Sequence, residues 1–345
     1  MKITHLDEEE FYHGRDRKPK RSKTKKIESA PLKDLVKGRV IAVTGESAVV
    51  DVEGEEILCS MKGLMKKERQ GQTLIAVGDL VLLEKSGRIA SVEERYSFLA
   101  RQDFYSRGEQ LIAVNIDQVL IITSLFQPPL KPAFIDRILI SAERGHIHPV
   151  IIINKIDLLE EASEEERALY QEVLLAYEPL GIPLLSVSAT NQTGLENLRS
   201  LMSHKTSAIA GQSGVGKSSL LNAAFGLQLK TGDLAQKTGK GSHTTTMAQL
   251  LPIPHGGFCI DTPGIRSFGI LDLEKEAIQN HFREFSPFAS SCRYSDCTHL
   301  NEPECAVREA LNEKKISSLR FASYQGLMEE VLKGVERRHR KKEEE

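Results

Sequence analysis

The chain has 345 residues, of which 40% are hydrophobic and 27% are charged, and its formal net charge is -2. This length predicts two or three domains at about 150 residues each, and the composition excludes a fibrous or largely disordered protein. The N-terminus lacks the apolar stretch of a secretory signal, and no later segment approaches the roughly 18 apolar residues of a membrane span. We therefore expect a cytoplasmic protein that binds no membrane.

The first 34 residues carry opposed blocks of charge instead of a hydrophobic pattern. Residues 7–10 read DEEE, and residues 13–26 hold eight Lys or Arg against one Asp. Such a run is typical of a solvated tail, and it is equally compatible with an arm for nucleic-acid phosphates. We assign residues 1–34 to a basic flexible tail.

Residues 35–98 are predicted to form a small β-barrel. Short strand-like runs follow one another without helices, and they read GRVIAV, AVVDV, EEILCS, GDLVLLE and RIASV. Closely spaced strands of this kind are typical of an OB-like barrel. That fold often binds oligonucleotides, and a purely structural barrel is the open alternative.

Residues 105–272 change to apolar strands alternating with helices, which is the pattern of a largely parallel sheet covered by helices. The predicted strands read QVLIITS, PVIII, PLLSV, TSAIA and GFCI. One predicted helix, FIDRILISAER, is ended by Gly145 and cannot continue through Pro149. Another begins at the capping box that Ser163 forms with Glu166. The sequence thus predicts an α/β domain.

A phosphate-binding loop lies between the strand TSAIA and the helical run SSLLNAAF. It reads GQSGVGKS and matches G-x-x-x-x-G-K-[ST] in full, in the strand-to-helix context that the motif requires. Backbone N–H groups would face phosphate oxygens, the charge of Lys217 would face the β- and γ-phosphates, and the Ser218 hydroxyl would ligate Mg²⁺. We count Lys217 as catalytic as well. The predicted phosphate-binding residues are Gly211, Gln212, Ser213, Gly214, Val215, Gly216, Lys217, Ser218 and Ser219.

The segment IIINKIDL is predicted to select the base, since it places polar residues directly after a buried strand. The Asp157 carboxylate can accept hydrogen bonds from N1–H and N2–H₂ of guanine, a donor pair that adenine lacks. Asn154 would tie this loop to the phosphate loop, and a backbone N–H near Ser188 would reach guanine O6. A P-loop phosphotransferase that uses ATP is the alternative. The predicted base-binding residues are Asn154, Lys155, Ile156, Asp157, Ser188 and Ala189.

Two further elements would sense the γ-phosphate. After the strand GFCI, DTPG places Asp261 for a water-mediated Mg²⁺ contact and the Gly264 N–H for a γ-phosphate hydrogen bond. Residues 229–246, here named the threonine segment, are rich in Gly, Lys and Thr and end in GKGSHTTT. Long irregular segments inside compact domains are usually functional or disordered. We expect Thr245 to join the Mg²⁺ shell only when a γ-phosphate is present, as an order–disorder switch.

The order of these motifs is rotated. Ras-like GTPases carry the P-loop, threonine switch, DxxG, NKxD and SA motifs in that order, whereas this chain begins with NKxD and SA. Because domain termini often lie close together, such a rotation can leave the sheet and the pocket unchanged. The sequence therefore predicts a circularly permuted P-loop GTPase domain.

Beyond residue 272 the chain becomes helical and charged around a cysteine-rich cluster. The spacing C-x4-C-x-H-x5-C is that of a closed Cys₃His site for one structural Zn²⁺. An iron–sulfur cluster suits the histidine less well. Residues 273–345 are thus predicted to form a small α-helical zinc domain, ending in a frayed charged tail, ERRHRKKEEE. The predicted ligands are Cys292, Cys297, His299 and Cys305.

These features together resemble the ribosome small-subunit-dependent GTPase A family over about residues 35–335. The most specific elements are the Cys/His cluster and the runs GQSGVGKSS, NKID, HTTT and DTPGIRSFG. The resemblance implies a bacterial factor that acts in late maturation of the small ribosomal subunit. It also implies that the factor hydrolyses GTP to GDP and phosphate weakly by itself, and that the subunit raises the rate of this hydrolysis. It also implies that the zinc domain docks on 16S rRNA. We expect a monomer.

One position departs from Ras-like chemistry. The residue after DTPG is Ile265, whose side chain cannot orient water. The resemblance implies that His243 in the threonine segment positions the attacking water or acts as general base. A solvent-exposed loop histidine is the alternative there. For the whole protein, an RNA-binding translational factor with structural nucleotide and incidental turnover is the second hypothesis.

Overall fold

The computed structural model describes residues 35–44, 47–60, 75–102, 109–229, 248–254, 256–261 and 275–343. The predicted tail, residues 1–34, lies outside this part of the chain. Within it, every helix is too short or too polar to cross a bilayer.

The first strands form the predicted barrel. They are β1 (Val36–Thr44), β2 (Ser47–Val52), β3 (Glu55–Ser60), β4 (Leu80–Leu83) and β5 (Ile89–Val92). Their order in the sheet is β3-β2-β1-β4-β5, and a parallel bridge between Ser60 and Arg88 joins the two outer strands. Apolar side chains that include Val40, Val50 and Val81 fill the interior. The OB-like barrel is therefore confirmed.

A hairpin of β6 (Phe98–Gln102) and β7 (Glu109–Val114) leads into the second sheet. The strands of that sheet are β8 (Gln118–Ser124), β9 (His148–Asn154), β10 (Leu184–Ser186), β11 (Thr206–Gly211), β12 (Leu250–Pro252) and β13 (Phe258–Asp261). Their order is β10-β9-β8-β11-β13-β12. All neighbours are parallel except β12, which pairs antiparallel with β13 at the edge. The predicted parallel sheet is confirmed.

Helices cover both faces of this sheet. They are α1 (Pro132–Arg144), α2 (Glu164–Tyr177), α3 (Leu195–Met202) and α4 (Lys217–Phe225). The first two pack on one face and the last two on the other. α1 starts two residues before the predicted run, because Pro132 suits the first helical turn, and it ends before Gly145 as predicted. The capping box of α2 is also confirmed, with 2.9 and 3.2 Å hydrogen bonds between Ser163 and Glu166.

The C-terminal region is helical, as predicted, around an aromatic core. Its helices are α5 (Lys275–Asn280), α6 (Ser286–Ala289), α7 (Ala306–Asn312) and α8 (Ser318–Glu343). Phe282, Phe285 and Tyr324 pack with ring centroids 5.0 to 5.4 Å apart. Helix α8 continues to Glu343, so the charged run expected to be frayed is helical up to that residue. The Glu, Lys and Arg residues of this run are good helix formers and extend the helix.

A buried charge network joins this region to the α/β domain. Arg320 on α8 contacts the carboxylate of Asp136 on α1, and these side chains are only 4% and 1% exposed. The Arg320 Nε also lies 2.7 Å from Glu284 Oε1, and its guanidinium stacks 4.4 Å from the Phe282 ring centroid. Burial raises the pKa of Asp136, and the charge of Arg320 opposes that shift. The two regions therefore share one desolvated ion pair.

We expect Arg320→Ala to lower the free energy of unfolding by about 3–5 kcal/mol, because Asp136 would stay buried without its cation. Arg283→Ala is the matched control, since Arg283 also pairs with a glutamate, Glu143, but its side chain is 75% exposed. That control should lose about 0–1 kcal/mol. Urea unfolding followed by circular dichroism measures both values. Similar losses in the two variants would contradict the role of the buried pair.

Candidate nucleotide site and metal centre

The predicted nucleotide residues meet at one edge of the parallel sheet. Asn154 ends β9, Gly211 ends β11, and Asp261 ends β13, while Ser188 follows β10 by two residues. The carboxyl ends of parallel strands share an edge, and ligands bind in the crevice outside it. The described parts of the NKxD, SA, P-loop and DxxG motifs therefore lie at one edge of the sheet.

The phosphate loop is packed so closely that two of its glycines have no room for a side chain. A Cβ at Gly211 would lie 2.4 Å from the Ile122 carbonyl oxygen, and a Cβ at Gly216 would lie 2.5 Å from Asn154 Nδ2. Gly216 also has φ +89°, in the left-handed region that favours glycine. Val215 between them is buried. The loop conformation thus depends on these glycines and on the neighbouring strands.

The side chains at the start of α4 face this loop. Lys217 Nζ donates to the carbonyl oxygens of Gly211 and Gln212, at 2.8 and 2.9 Å. Ser218 is buried at the first turn of the helix. The ammonium group is therefore held at the mouth of the loop, where phosphate oxygens can replace the two carbonyl acceptors.

Asn154 connects the base loop to the phosphate loop. Its Nδ2 donates to the Val215 carbonyl oxygen at 2.9 Å. Its Oδ1 is buried and has no hydrogen-bond partner within the described part of the chain. Because a buried amide oxygen without a partner is costly, this oxygen is available as an acceptor at the site.

The base loop is held in place from two sides. Lys155 adopts a left-handed conformation with φ 67°, and its Nζ donates to the Gln127 carbonyl. The Ser188 hydroxyl donates to the Asp157 carboxylate and accepts from the Thr190 N–H at 3.1 Å. One carboxylate oxygen of Asp157 is thereby oriented before a base binds.

Sequence reasoning missed two of these contributions. Gln127 acts through its backbone carbonyl, so its residue type carries no signal. Ser188 was predicted for a backbone contact with guanine, whereas the structure shows its side chain orienting Asp157. A serine hydroxyl close to a base-recognising carboxylate is a signal only when the fold is known.

Several predicted residues lie outside the part of the chain that the structure describes. These residues are His243, Thr245, Gly264 and Ile265. Asp261 is placed at the end of β13 by its backbone alone.

The four predicted metal ligands lie together between α6 and α7. Their ligand atoms are all within 4.8 Å of one another. Cys292 Sγ lies 3.9 Å from Cys305 Sγ, and His299 Nδ1 lies 3.6 and 3.4 Å from these two sulfurs. Tetrahedral zinc, with bonds of about 2.3 Å to sulfur and about 2.0 Å to nitrogen, gives edges of about 3.8 and 3.5 Å. The cluster is therefore compatible with zinc.

Burial keeps the thiols of this cluster protonated while no metal ion is bound. Burial raises the pKa of the Cys297 thiol to about 12 and raises the pKa of Cys305 as well. Burial lowers the pKa of His299, which keeps the imidazole neutral. Because thiolates are the ligand form, binding of a metal ion at this cluster would release the thiol protons.

A carboxylate orders the loop that carries His299, here named the metal loop. Glu302 Oε1 accepts from the Thr298 N–H at 2.9 Å and from its hydroxyl at 2.5 Å. Despite partial burial, these hydrogen bonds lower the pKa of Glu302 to about 2. The Tyr324 hydroxyl donates to the Thr298 carbonyl at 2.6 Å. Helix α8 thus supports the metal loop directly.

Comparison with known proteins agrees with this architecture. A model of the RsgA GTPase family matches residues 92–271. The small ribosomal subunit biogenesis GTPase RsgA of Gemmatimonas aurantiaca is 39% identical over 303 residues, which cover 85% of this chain and 97% of that protein. The RsgA of Chlorobaculum parvum is 37% identical over 315 residues, which cover 87% and 99%.

Solved structures show the same similarity. The crystal structure of YjeQ from Thermotoga maritima has a TM-score of 0.69 and 32% identity, and the match covers 86% of this chain and 99% of that one. YloQ, described as a circularly permuted GTPase, has a TM-score of 0.65 and 27% identity, with 87% and 96% covered. With the rotated motifs gathered at one sheet edge, these matches establish that the chain belongs to the RsgA GTPase family.

Proposed function

We propose that this GTPase binds the small ribosomal subunit, assists its late maturation, and hydrolyses GTP to GDP and phosphate faster when the subunit is bound. The observation that carries the proposal is the 2.9 Å hydrogen bond from Asn154 to Val215, which joins the base loop to the phosphate loop. The relatives named small ribosomal subunit biogenesis GTPases supply the partner. The proposed domains are the OB-like barrel (residues 35–98), the permuted GTPase domain (residues 105–272) and the zinc domain (residues 273–345).

In this proposal the phosphate loop binds the triphosphate and its magnesium ion. Lys217 places its charge on the β- and γ-phosphates, and Ser218 ligates Mg²⁺. Thr245 completes the Mg²⁺ shell in the GTP state, Asp261 contacts the ion through water, and the Gly264 N–H bonds the γ-phosphate. The remaining phosphate contacts come from Gly211, Gln212, Ser213, Gly214, Val215, Gly216 and Ser219.

The base loop selects guanine. Asp157 accepts from N1–H and N2–H₂, and the hydrogen bond from Ser188 supports this role because it holds the carboxylate in one orientation. The stem of Lys155 lies along the ring, with Ile156 in the same turn. A backbone N–H at Ala189 reaches O6.

The attacking water is positioned by His243. Ile265 occupies the place from which Ras-like enzymes orient water, so another group is required. A neutral imidazole in the threonine segment can accept a proton from water at physiological pH.

We expect Asp157→Asn to weaken GTP binding and to favour xanthosine triphosphate. The amide donates where the carboxylate accepted, which suits the carbonyl at position 2 of xanthine. Competition against a fluorescent guanine nucleotide measures the change, and a shift of about tenfold or more in relative affinity is expected. Asp51→Asn in the barrel is the control, which should retain the guanine preference. Unchanged selectivity in Asp157→Asn would instead favour an ATP-using phosphotransferase.

The Cys₃His cluster binds one structural Zn²⁺. All four positions are occupied by protein ligands, so no coordination site is left for water, and the metal stabilises the fold. The distances among Cys292, His299 and Cys305 support this assignment.

Cys297→Ala should therefore be isolated with far less than the roughly one zinc per chain expected of the unaltered protein. Loss of the metal should also lower the free energy of unfolding by several kcal/mol. Cys59→Ala is the matched control, because Cys59 is equally buried but lies in the barrel. Elemental analysis of purified protein measures the zinc, and full zinc content in Cys297→Ala would refute the site.

The barrel and the zinc domain contact the 16S rRNA of the subunit, and the protein acts as a monomer in the cytoplasm. Two features support this arrangement. The permutation places one such unit before the base loop and the other after the DxxG motif, and the OB-like barrel is a fold that often binds oligonucleotides.

Measuring GTP turnover with and without purified small subunits tests this function. We expect a stimulation of at least about tenfold, equivalent to roughly 1.4 kcal/mol of transition-state stabilisation. Purified large subunits are the control and should not stimulate, and Lys217→Ala should abolish both basal and stimulated turnover. Unchanged turnover with the small subunit would favour the RNA-binding factor whose nucleotide is structural.

A further inference from the structure

His299 faces the cysteines of the Cys₃His cluster with Nδ1, the ring nitrogen nearer its own backbone. This atom lies 3.6 Å from Cys292 Sγ and 3.4 Å from Cys305 Sγ. A neutral imidazole carries one proton, and the nitrogen that binds a metal ion cannot hold it. When Nδ1 is the ligand atom, the proton of His299 therefore lies on Nε2.

The second ring nitrogen has no conventional acceptor. A metal-binding histidine almost always donates its other N–H to a carboxylate, a backbone carbonyl or water, which fixes the orientation of the ring. In His299 this atom, Nε2, is buried and has no hydrogen-bond partner among the residues that the structure describes. The carboxylate of Glu302, three residues further on, accepts from the N–H groups of Thr298 and Asn301 instead. The ring must therefore be oriented by other contacts.

Two aromatic rings pack against this imidazole. The Phe285 ring centroid lies 5.9 Å from that of His299, and the two planes are nearly perpendicular, at 85°. The Tyr324 ring lies 6.5 Å away and is tilted by 45°. A perpendicular pair at such a distance places the edge of one ring against the face of the other, and an aromatic face is a weak acceptor for N–H. The face of Phe285 can therefore receive the Nε2–H.

The backbone beneath His299 is held from the same aromatic side. His299 has φ 61°, a left-handed conformation that is uncommon for a residue with a side chain and is kept only where the surroundings enforce it. The Tyr324 hydroxyl donates to the carbonyl of the preceding residue, Thr298, at 2.6 Å. Phe285 and Tyr324 also pack on each other, with centroids 5.0 Å apart. One aromatic pair thus contacts both the ring of His299 and the backbone that carries it.

We propose that His299 binds the metal ion through Nδ1 with its Nε2–H against the face of Phe285, which makes Phe285 a positioning residue for the metal centre. This inference rests on the proposed zinc site. Phe285 takes the place of the carboxylate or carbonyl that orients the histidine in most metal sites. The affinity for zinc therefore depends on an aromatic ring at position 285.

Nuclear magnetic resonance of the zinc-loaded full chain, with ¹⁵N-labelled histidine, tests the orientation of the ring. We expect the His299 proton on Nε2, exchanging slowly with solvent and shifted to lower frequency by the ring current of Phe285. His299→Cys assigns the signal by its loss, because four cysteines also form a structural zinc site. A proton on Nδ1, or an Nε2–H at the frequency of an ordinary hydrogen-bonded imidazole, would overturn the inference.

Zinc affinity, measured by competition with a chromogenic chelator, tests the role of Phe285. We expect Phe285→Leu to bind zinc about tenfold more weakly and to lose the ring-current shift of the His299 proton. Phe282→Leu is the matched control, because Phe282 is also 1% exposed and its ring packs on Phe285 and Tyr324 in the same core. That control should stay within about twofold of the unaltered affinity.

Equal losses of zinc affinity in the two variants would show general packing and overturn the positioning role. If Phe285→Leu does not fold, the resonance of the unaltered protein decides by itself. A zinc-loaded chain with the His299 proton on Nδ1 would sink this inference alone, whereas an unaltered chain that holds no zinc would remove the proposed zinc site and this inference with it.

Discussion

The side-chain amide of Asn154 connects two parts of the nucleotide site whose order along the chain the permutation has reversed. It ends β9 and donates to the Val215 carbonyl, 61 residues later, at 2.9 Å. The close approach explains why Gly216 cannot carry a side chain, since its Cβ would lie 2.5 Å from this amide. The positions of the base loop and the phosphate loop are therefore coupled, and the order of the motifs matters less than the strands that present them.

The barrel is attached to the GTPase sheet by apolar and polar contacts. Ile41 and Val77 of the barrel belong to the buried apolar cluster of the α/β domain. Arg39 donates to the Thr206 hydroxyl at 2.6 Å, and a bridge joins Ala42 to Gln249, beside β12. The C-terminal helices are attached through the buried pair of Arg320 and Asp136. Gln249 follows the threonine segment closely along the chain, so the barrel contacts the residue that comes soon after that segment ends.

The C-terminal region stabilises two buried sets of polar groups with one aromatic layer. Phe282 lies under the guanidinium of Arg320, and Tyr324 packs against Phe282 while its hydroxyl holds the Thr298 carbonyl of the metal loop. The charge of Asp136 is compensated by an arginine, whereas the Cys₃His cluster has the ligand distances of a zinc site. Helix α8 carries both Arg320 and Tyr324, and so it links the metal centre to the GTPase domain.

The sequence alone determined the features whose chemistry is local. The phosphate loop GQSGVGKS, the spacing C-x4-C-x-H-x5-C and the capping box of α2 each lie within a few residues, so residue types and spacing suffice to predict them. The parallel sheet followed from apolar runs alternating with helices. The tertiary structure decided the rest. Arg320 and Asp136 lie 184 residues apart, and Gln127 holds the Lys155 side chain through its backbone carbonyl. Contacts of these two kinds carry no local pattern, because they arise only when packing brings distant segments together.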